Sequence, residues 1–241
     1  MTEKALTKAQ ADQVAVDAFL KKASAVAPLQ AGRPGRLMFA IDATASRQPT
    51  WDMASQVQGE MFQATRELGG LDLQVVFFRG FGEFRASPWL ASGEDVARRM
   101  TKVSCLAGRT QIAKVLQHAL NETAKRKVNG LIYIGDSLEE DIDELGELAG
   151  KLGVVGLPVF PFHEGDDPVA SFGFSQLAKL SGGVYCPFEP GAADRLKALL
   201  GAVAVYASAG REALLRLSTR GSGSGNADIK RLVDGLKRGG A

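Results

Sequence analysis

Three oxygen-bearing side chains follow the first apolar run of this sequence, at alternating positions. Asp42, Thr44 and Ser46 come directly after the run Leu37-Met38-Phe39-Ala40-Ile41. An apolar run that ends in a polar loop is typical of a buried strand that delivers its loop to one edge of a sheet. Carboxylate and hydroxyl oxygens suit hard cations such as Mg²⁺ or Mn²⁺. The pattern therefore predicts an oxygen-only metal site after the first strand.

Two later segments supply further oxygen atoms for such a site. Thr110 opens a predicted helix, and Asp136 follows the predicted strand 131–134. In an open parallel sheet, ligands bind outside the carboxyl ends of the strands, at the point where the strand order reverses. We therefore expect Asp42, Thr110 and Asp136 to converge at one edge of the sheet.

Each of these residues also has a simpler explanation. Asp42 can end a strand, Ser46 can form a local turn, and Thr110 can cap a helix. Ser137, with Glu140 three residues later, fits a capping box for the next helix. The metal site is favoured because these residues fall together at the ends of the right elements.

The elements that must position these residues alternate between strands and helices. Strands are expected over 37–41, 71–78, 84–89, 131–134, 154–162 and 183–186, and helices over 51–68, 94–103, 110–127, 138–152, 172–180 and 191–206. Pro158 predicts that the strand 154–162 lies nearer an edge of the sheet. The acidic residues 139–141 favour the first turn of the helix 138–152. The alternation predicts right-handed βαβ units. The fold class is thus α/β, a doubly wound, mostly parallel, Rossmann-like sheet with helices on both faces.

Two segments flank the expected domain of residues 35–210. Residues 1–30 predict a helix that packs on the domain. Residues 211–241 hold a flexible Gly/Ser linker at 221–225 and a short basic amphipathic tail. Apolar residues of the tail recur at helical spacing, which suits either docking on its own domain or insertion into a partner's groove.

Composition excludes several classes of protein. The chain has 241 residues, 45% of them hydrophobic, and a formal net charge of +2, so no strong field favours nucleic acid. Its two cysteines form no disulfide framework or CxxC motif, and no secretory signal or membrane-spanning run is visible. We therefore expect a cytoplasmic protein without membrane contact.

The site motifs resemble those of von Willebrand factor type A (VWA) domains with a metal-ion-dependent adhesion site (MIDAS). That family carries Asp-x-Ser-x-Ser after the first strand, a Thr in a Gly-rich loop before a helix, and an Asp after a later strand. The matching residues here are Asp42, Thr44, Ser46, Thr110 and Asp136. The resemblance covers the expected domain, and Thr44 keeps the hydroxyl of the Ser it replaces.

The resemblance implies a binding mechanism rather than an enzyme. Two aspartates would balance the charge of Mg²⁺ or Mn²⁺, while neutral hydroxyls leave the ion electrophilic. An open coordination position would accept an acidic side chain of a protein partner, with the module as an adaptor for a larger complex of bacterial type. Arg47 and Arg109, the latter where a Gly is common, would add salt bridges to that partner.

Other functions stay open at this point. A Mg²⁺-dependent hydrolase or phosphotransferase would use Asp42 as nucleophile or ligand, although no phosphate loop or nucleophile elbow is present. A metal-free scaffold, or one within an RNA complex, is a further alternative. His163 is expected in a loop, on the crevice rim or solvated, whereas His118 is expected to be structural and Cys105 to lie in a loop.

Overall fold

The computed structural model describes residues 34–45, 51–52, 70–188, 200–209 and 213. The predictions for the helix 1–30, for most of the helix 51–68, for Ser46 and Arg47, and for the tail lie outside these residues. Trp51 and Asp52 are helical, and so are residues 200–209.

Six strands form one sheet in the described part of the chain. They are β1 (Gly35–Asp42), β2 (Leu71–Arg79), β3 (Glu83–Ala86), β4 (Gly130–Gly135), β5 (Val159–Glu164) and β6 (Cys186–Phe188). Their order is β3-β2-β1-β4-β5-β6. Only the β2–β3 pair is antiparallel, and the other four pairs are parallel. The predicted mostly parallel sheet is confirmed, and its strand order reverses between β1 and β4.

Helices cover both faces of this sheet. The helices bounded in full are α1 (Gly93–Met100), α2 (Ile112–Lys125), α3 (Ile142–Val154) and α4 (Pro168–Ser181). One face of the sheet packs against α1 and the helical residues 200–207, and the other packs against α2, α3 and α4. The doubly wound architecture is therefore confirmed.

The sequence of β1 explains why this strand is central. Leu37, Phe39 and Ile41 belong to the core on the α1 side, whereas Met38 and Ala40 belong to the core on the α2 side. Side chains alternate between the two faces of a strand, so a strand buried on both faces is a continuous apolar run. This arrangement brings Asp42 to the carboxyl edge where the strand order reverses.

The predicted start of β5 is wrong. Residues 154–158 are not a strand, because Val154 ends α3 and β5 begins only at Val159. Pro158 therefore precedes the strand rather than interrupting it. β6 pairs with the outer side of β5, so β5 is one strand in from the edge.

The start of α3 is also later than predicted. The helix begins at Ile142, and the Asp141 carboxylate accepts hydrogen bonds from the backbone N–H groups of Asp143 and Glu144 at 2.8 and 3.1 Å. The predicted cap at Ser137 and the predicted first turn at 139–141 are therefore wrong. Residues 136–141 instead form the loop that joins β4 to α3.

Within the described residues, no helix combines the length and apolar character that a bilayer crossing requires.

Candidate functional site

Asp42 ends β1 as a fully buried carboxylate. Its Oδ1 accepts a hydrogen bond from the backbone N–H of Thr44 at 2.8 Å. This contact turns the chain sharply after the strand and presents the partly exposed Thr44 at the sheet edge. The first two oxygen-bearing residues of the motif thus lie side by side at the switch point.

Backbone hydrogen bonds fix the loop after β1 to its neighbours. The N–H of Ala43 donates to the carbonyl of Phe78 in β2, and the carbonyl of Ala43 accepts from the N–H of Leu106, both at 3.0 Å. The N–H of Arg109 donates to the carbonyl of Gly80 at 3.2 Å. The loops after β1 and β2 and the loop before α2 therefore form one connected edge.

Close backbone packing requires glycine in this edge. A Cβ atom on Gly108 would lie 2.1 Å from the carbonyl oxygen of Gly80, far inside van der Waals contact. Any larger residue would push the loop that carries Thr110 away from the turn after β2. Gly108 therefore sets the position of that loop.

Thr110 lies two residues before α2 and is buried, 6% exposed. Its hydroxyl donates to the Glu140 carboxylate and accepts from the backbone N–H of Glu139 at 3.1 Å, while its own N–H donates to the Glu139 carboxylate at 3.0 Å. The loop after β4 is thereby joined to the start of α2.

Glu140 also supplies the cap that α2 lacks locally. The N-cap residue Gln111 makes no side-chain capping bond, and the first turn of α2 contains no acidic residue. The second oxygen of Glu140 accepts from the N–H of Ala113 at 3.1 Å. A carboxylate at this position satisfies a first-turn donor and interacts favourably with the helix dipole. Sequence reasoning missed this role, and the missing local cap of α2 is the signal that hints at it.

A crevice opens where these loops meet. Its volume is about 260 Å³, and its walls come from the ends of β1 and β4 and from the loop before α2. The lining residues are Thr44, Ala45, Ala107, Gly108, Thr110, Asp136, Ser137 and Glu139. Thr44, Thr110 and Asp136 thus share one crevice, whereas Asp42 does not line it and is hydrogen-bonded to the backbone of Thr44.

The donor set of this crevice suits a hard cation, because every polar side chain lining it offers oxygen. A hydroxyl has two lone pairs, and the one hydrogen bond that the Thr110 hydroxyl accepts leaves a second lone pair for an ion. Among the described residues, no group of three or more Asp, Glu, His or Cys is arranged to hold a metal. A cation in this crevice would therefore depend on hydroxyl oxygens beside Asp136.

The rim of the crevice carries an exposed cation and an exposed aromatic ring. Arg109 is exposed and follows the crevice-lining Gly108. Phe81 lies in the turn between β2 and β3, next to the Gly80 carbonyl that holds Arg109, and is 87% exposed. A large aromatic side chain with so little burial contributes nothing to the core and is available for contact.

Neither histidine lines the crevice. His163 is buried within β5, 1% exposed, with its Nδ1 2.7 Å from the Tyr185 hydroxyl and its ring edge-on to Phe174. The expectation of a loop or rim position for His163 is wrong, because β5 extends to Glu164 and α4 covers this residue.

His118 is structural, as predicted. It lies in α2, with Nε2 3.0 Å from the Gln74 amide oxygen and its ring edge-on to Phe84. Burial lowers the pKa of His118, and the charge of Glu122 opposes that effect. Cys105 is partly exposed in the loop before α2, also as predicted.

The fold is that of known VWA domains. The SpRpn10 VWA domain matches 69% of this chain and 95% of its own length, with a TM-score of 0.55 and 11% sequence identity. The chain has a VWA fold. An aerotolerance-related membrane protein from Bacteroides fragilis is also similar over 85% of this chain and 99% of its own, with a TM-score of 0.51 and 13% identity.

A third similar structure contains a metal. Proximal thread matrix protein 1 from the mussel byssus, described with a zinc-occupied MIDAS motif, has a TM-score of 0.50 and 18% identity over 72% of this chain and 45% of its own. No family model matches this sequence, and no curated protein sequence matches it significantly. At these identities the likeness establishes the fold of the chain alone.

Proposed function

We propose that this chain is a non-enzymatic VWA module that binds a protein partner through a divalent cation, Mg²⁺ or Mn²⁺. The observation that carries the proposal is the crevice at the strand-order switch point, where Thr44, Thr110 and Asp136 line the wall and Asp42 holds the backbone of Thr44 by a hydrogen bond. Parallel sheets bind ligands at this place.

The chemistry of these residues supports a role in holding the ion. Asp42 and Asp136 would supply negative charge, and Thr44 and Thr110 would supply neutral hydroxyl oxygens. Ser46 is proposed as a further ligand from its spacing in the sequence. The cation, when bound, would act as an electrophile for a carboxylate.

The partner is proposed to offer an acidic side chain to the open edge of the crevice. Arg109 would attract that carboxylate, and Phe81 would add apolar contact at the rim, since both are exposed. Arg47 is proposed to act like Arg109 from its sequence position. Interfaces commonly use Arg and aromatic residues as their energetic anchors.

A hydrolase or phosphotransferase receives less support from the site. Neither histidine lines the crevice, so neither is placed as a general base there. Glu139 and Glu140 are engaged at Thr110 and the start of α2. We therefore favour ligand binding over catalysis.

We also propose that the protein is cytoplasmic, because its two cysteines are both free.

Calorimetric titration with Mg²⁺ and with Mn²⁺ tests the metal. We expect one ion per chain, with affinity reduced at least about tenfold by Asp136→Asn, which corresponds to about 1.4 kcal/mol. Asp143→Asn is the matched control, because Asp143 is an exposed aspartate in the first turn of α3 and does not line the crevice. Equal affinities for the wild type and Asp136→Asn would refute the assignment of Asp136 as a ligand.

A second experiment tests the use of the ion in partner binding. Purified chain is titrated with glutarate in the presence of saturating Mg²⁺ and again after chelation with EDTA. We expect carboxylate binding only with the ion present, and weaker binding for Arg109→Ala. Binding that persists unchanged in EDTA would refute a metal-mediated contact.

A further inference from the structure

A second concave surface lies on the α1 side of the sheet, apart from the crevice. We name it the basic groove. Its volume is about 570 Å³, and it runs between the strands β2 and β3 and the helix α1. The lining residues are Val75, Phe77, Glu83, Arg85, Ala86, Ser87, Asp95, Arg98, Arg99, Lys102 and Val103. None of them lines the crevice.

The groove combines an apolar floor with charged walls. Val75 and Phe77 of β2 and Val103 after α1 supply apolar surface. Trp51 packs edge-on against Phe77 at a centroid separation of 5.7 Å, so the floor belongs to a packed core. A rigid apolar floor suits the side chains of an extended or helical segment.

The walls of the groove carry an excess of positive charge. Four cationic side chains and two carboxylates line the groove. Glu83 is paired with Arg79 and with Arg85, and Asp95 is paired with Arg98. In the part of the chain that the structure describes, Arg99 and Lys102 form no ion pair, and both are exposed.

We propose that the basic groove binds an acidic peptide segment of a protein partner, with its carboxylates on Arg99 and Lys102 and an apolar side chain on the floor. Charge complementarity selects an acidic occupant, and the apolar floor selects a peptide over a nucleic acid. Phe77 is the one aromatic side chain among the described lining residues, whereas single-stranded nucleic acids stack successive bases on several aromatic rings.

The groove and the crevice border the same loop. Val103 lines the groove, whereas Ala107 and Gly108 line the crevice. A partner that reaches the crevice is therefore able to lay an adjoining segment into the groove. The proposal does not depend on this coupling, because the groove contains no residue of the candidate metal site.

Fluorescence anisotropy with a short labelled peptide of alternating Glu and Val residues tests the groove. Each exposed ion pair contributes little, but reversal of two charges removes attraction and adds repulsion. We expect Arg99→Glu/Lys102→Glu to weaken peptide binding about tenfold or more. The control Lys127→Glu/Lys179→Glu changes net charge equally at exposed sites outside the groove, and we expect it to change affinity less than about twofold.

The arms of the experiment separate the alternatives. Absence of peptide binding to the wild type, or equal loss in the two double variants, would overturn the proposal. Tighter binding of an oligouridine of the same length would also overturn it, in favour of an RNA surface. Because Arg99 and Lys102 are exposed and make no described ion pair, Arg99→Ala/Lys102→Ala provides a second, milder variant, with circular dichroism as the folding check.

The outcome of the metal titration is independent of the outcome of the peptide experiment. Peptide binding is measured again in EDTA and with Asp136→Asn. We expect no change in either case, since neither treatment alters the groove. If the metal titration fails while this peptide binding is lost only in Arg99→Glu/Lys102→Glu, the groove proposal stands and the metal proposal falls.

Discussion

Glu122 of α2 is the centre of a buried charge network that joins the helix to β1. One oxygen of its carboxylate accepts from Arg36 Nη2 at 3.0 Å and from Trp89 Nε1 at 2.6 Å, and the other accepts from Lys125 Nζ at 2.7 Å. The Arg36 guanidinium also lies 3.6 Å from the centre of the Trp89 ring. Since β1 ends at Asp42 and α2 follows Thr110, this network holds together the two elements that position the candidate site.

The pKa of Glu122 gives the magnitude of this contribution. Burial by itself would raise the pKa, but hydrogen bonds from Lys125 and Trp89 and the charge of Lys125 outweigh it and lower the pKa from 4.5 to about 2. At about 1.4 kcal/mol per pKa unit, the ionised carboxylate stabilises the folded state by roughly 3 kcal/mol at neutral pH. A lowered pKa means that this stabilisation is present above about pH 4.5 and is lost as the pH falls towards about 2.

We therefore expect Glu122→Gln to lower the free energy of unfolding by about 3 kcal/mol at neutral pH, because it leaves Arg36 without its buried partner. The difference in the free energy of unfolding between wild type and variant should narrow below about pH 4.5, because the wild-type carboxylate takes up a proton. Urea denaturation followed by tryptophan fluorescence measures both quantities. Glu147→Gln is the control, since Glu147 is an exposed glutamate that pairs with the exposed Lys151.

Two results would refute this reasoning about Glu122. An equal difference in the free energy of unfolding at neutral pH and at about pH 3 would show that the ionised Glu122 carboxylate does not cause that difference. A loss at neutral pH no larger than that of Glu147→Gln would show that the network adds no stability.

Three further predictions concern the edge of the sheet and α2. Glu140→Gln should lower the free energy of unfolding by about 1–3 kcal/mol in urea denaturation, because the charge-assisted bonds to the Thr110 hydroxyl and to the first turn of α2 are weakened; an unchanged midpoint would contradict this role. Gly108→Ala should lower the melting temperature and weaken any Mg²⁺ binding seen in calorimetry, because its Cβ would meet the Gly80 carbonyl oxygen at 2.1 Å. An unchanged melting temperature and Mg²⁺ affinity would show that the loop moves to accommodate the Cβ atom without cost. In an NMR titration His118 should take up its proton below its usual pKa of 6.5, since burial disfavours the charged ring; stability from this group is lost as the pH falls below 6.5, and a midpoint above that value would contradict the burial argument.

Local patterns predicted the candidate site better than they predicted its surroundings. Apolar runs and breakers predict Asp42, Thr44 and Asp136 after strands and Thr110 at the start of a helix; the structure puts all four at one edge of the sheet, with Thr110 two residues before α2. Their role as metal ligands stays a prediction. Ser46 and Arg47 lie outside the described residues, so their placement also stays a prediction.

The errors arose where contacts distant in the sequence outweighed local preference. Ser137 and Glu140 have the spacing of a capping box, which is worth about 1 kcal/mol. Glu140 instead lies against Thr110 and α2, 27–30 residues away in the sequence. His163 was expected in a loop, but the pairing of β5 with β4 and β6 and the packing of α4 bury it.

The alternation of strands and helices follows from local sequence, because the period of apolar residues and the breakers between them act over a few neighbouring residues. Local sequence also predicts the doubly wound class and the position of Asp42 at the end of a strand buried on both faces. The contacts by which Glu139 and Glu140 join the loop after β4 to the start of α2 arise only in the folded molecule. The basic groove likewise exists only once α1 packs beside β2 and β3. Such contacts depend on the packing of whole elements against one sheet, and no local pattern of residues encodes that packing.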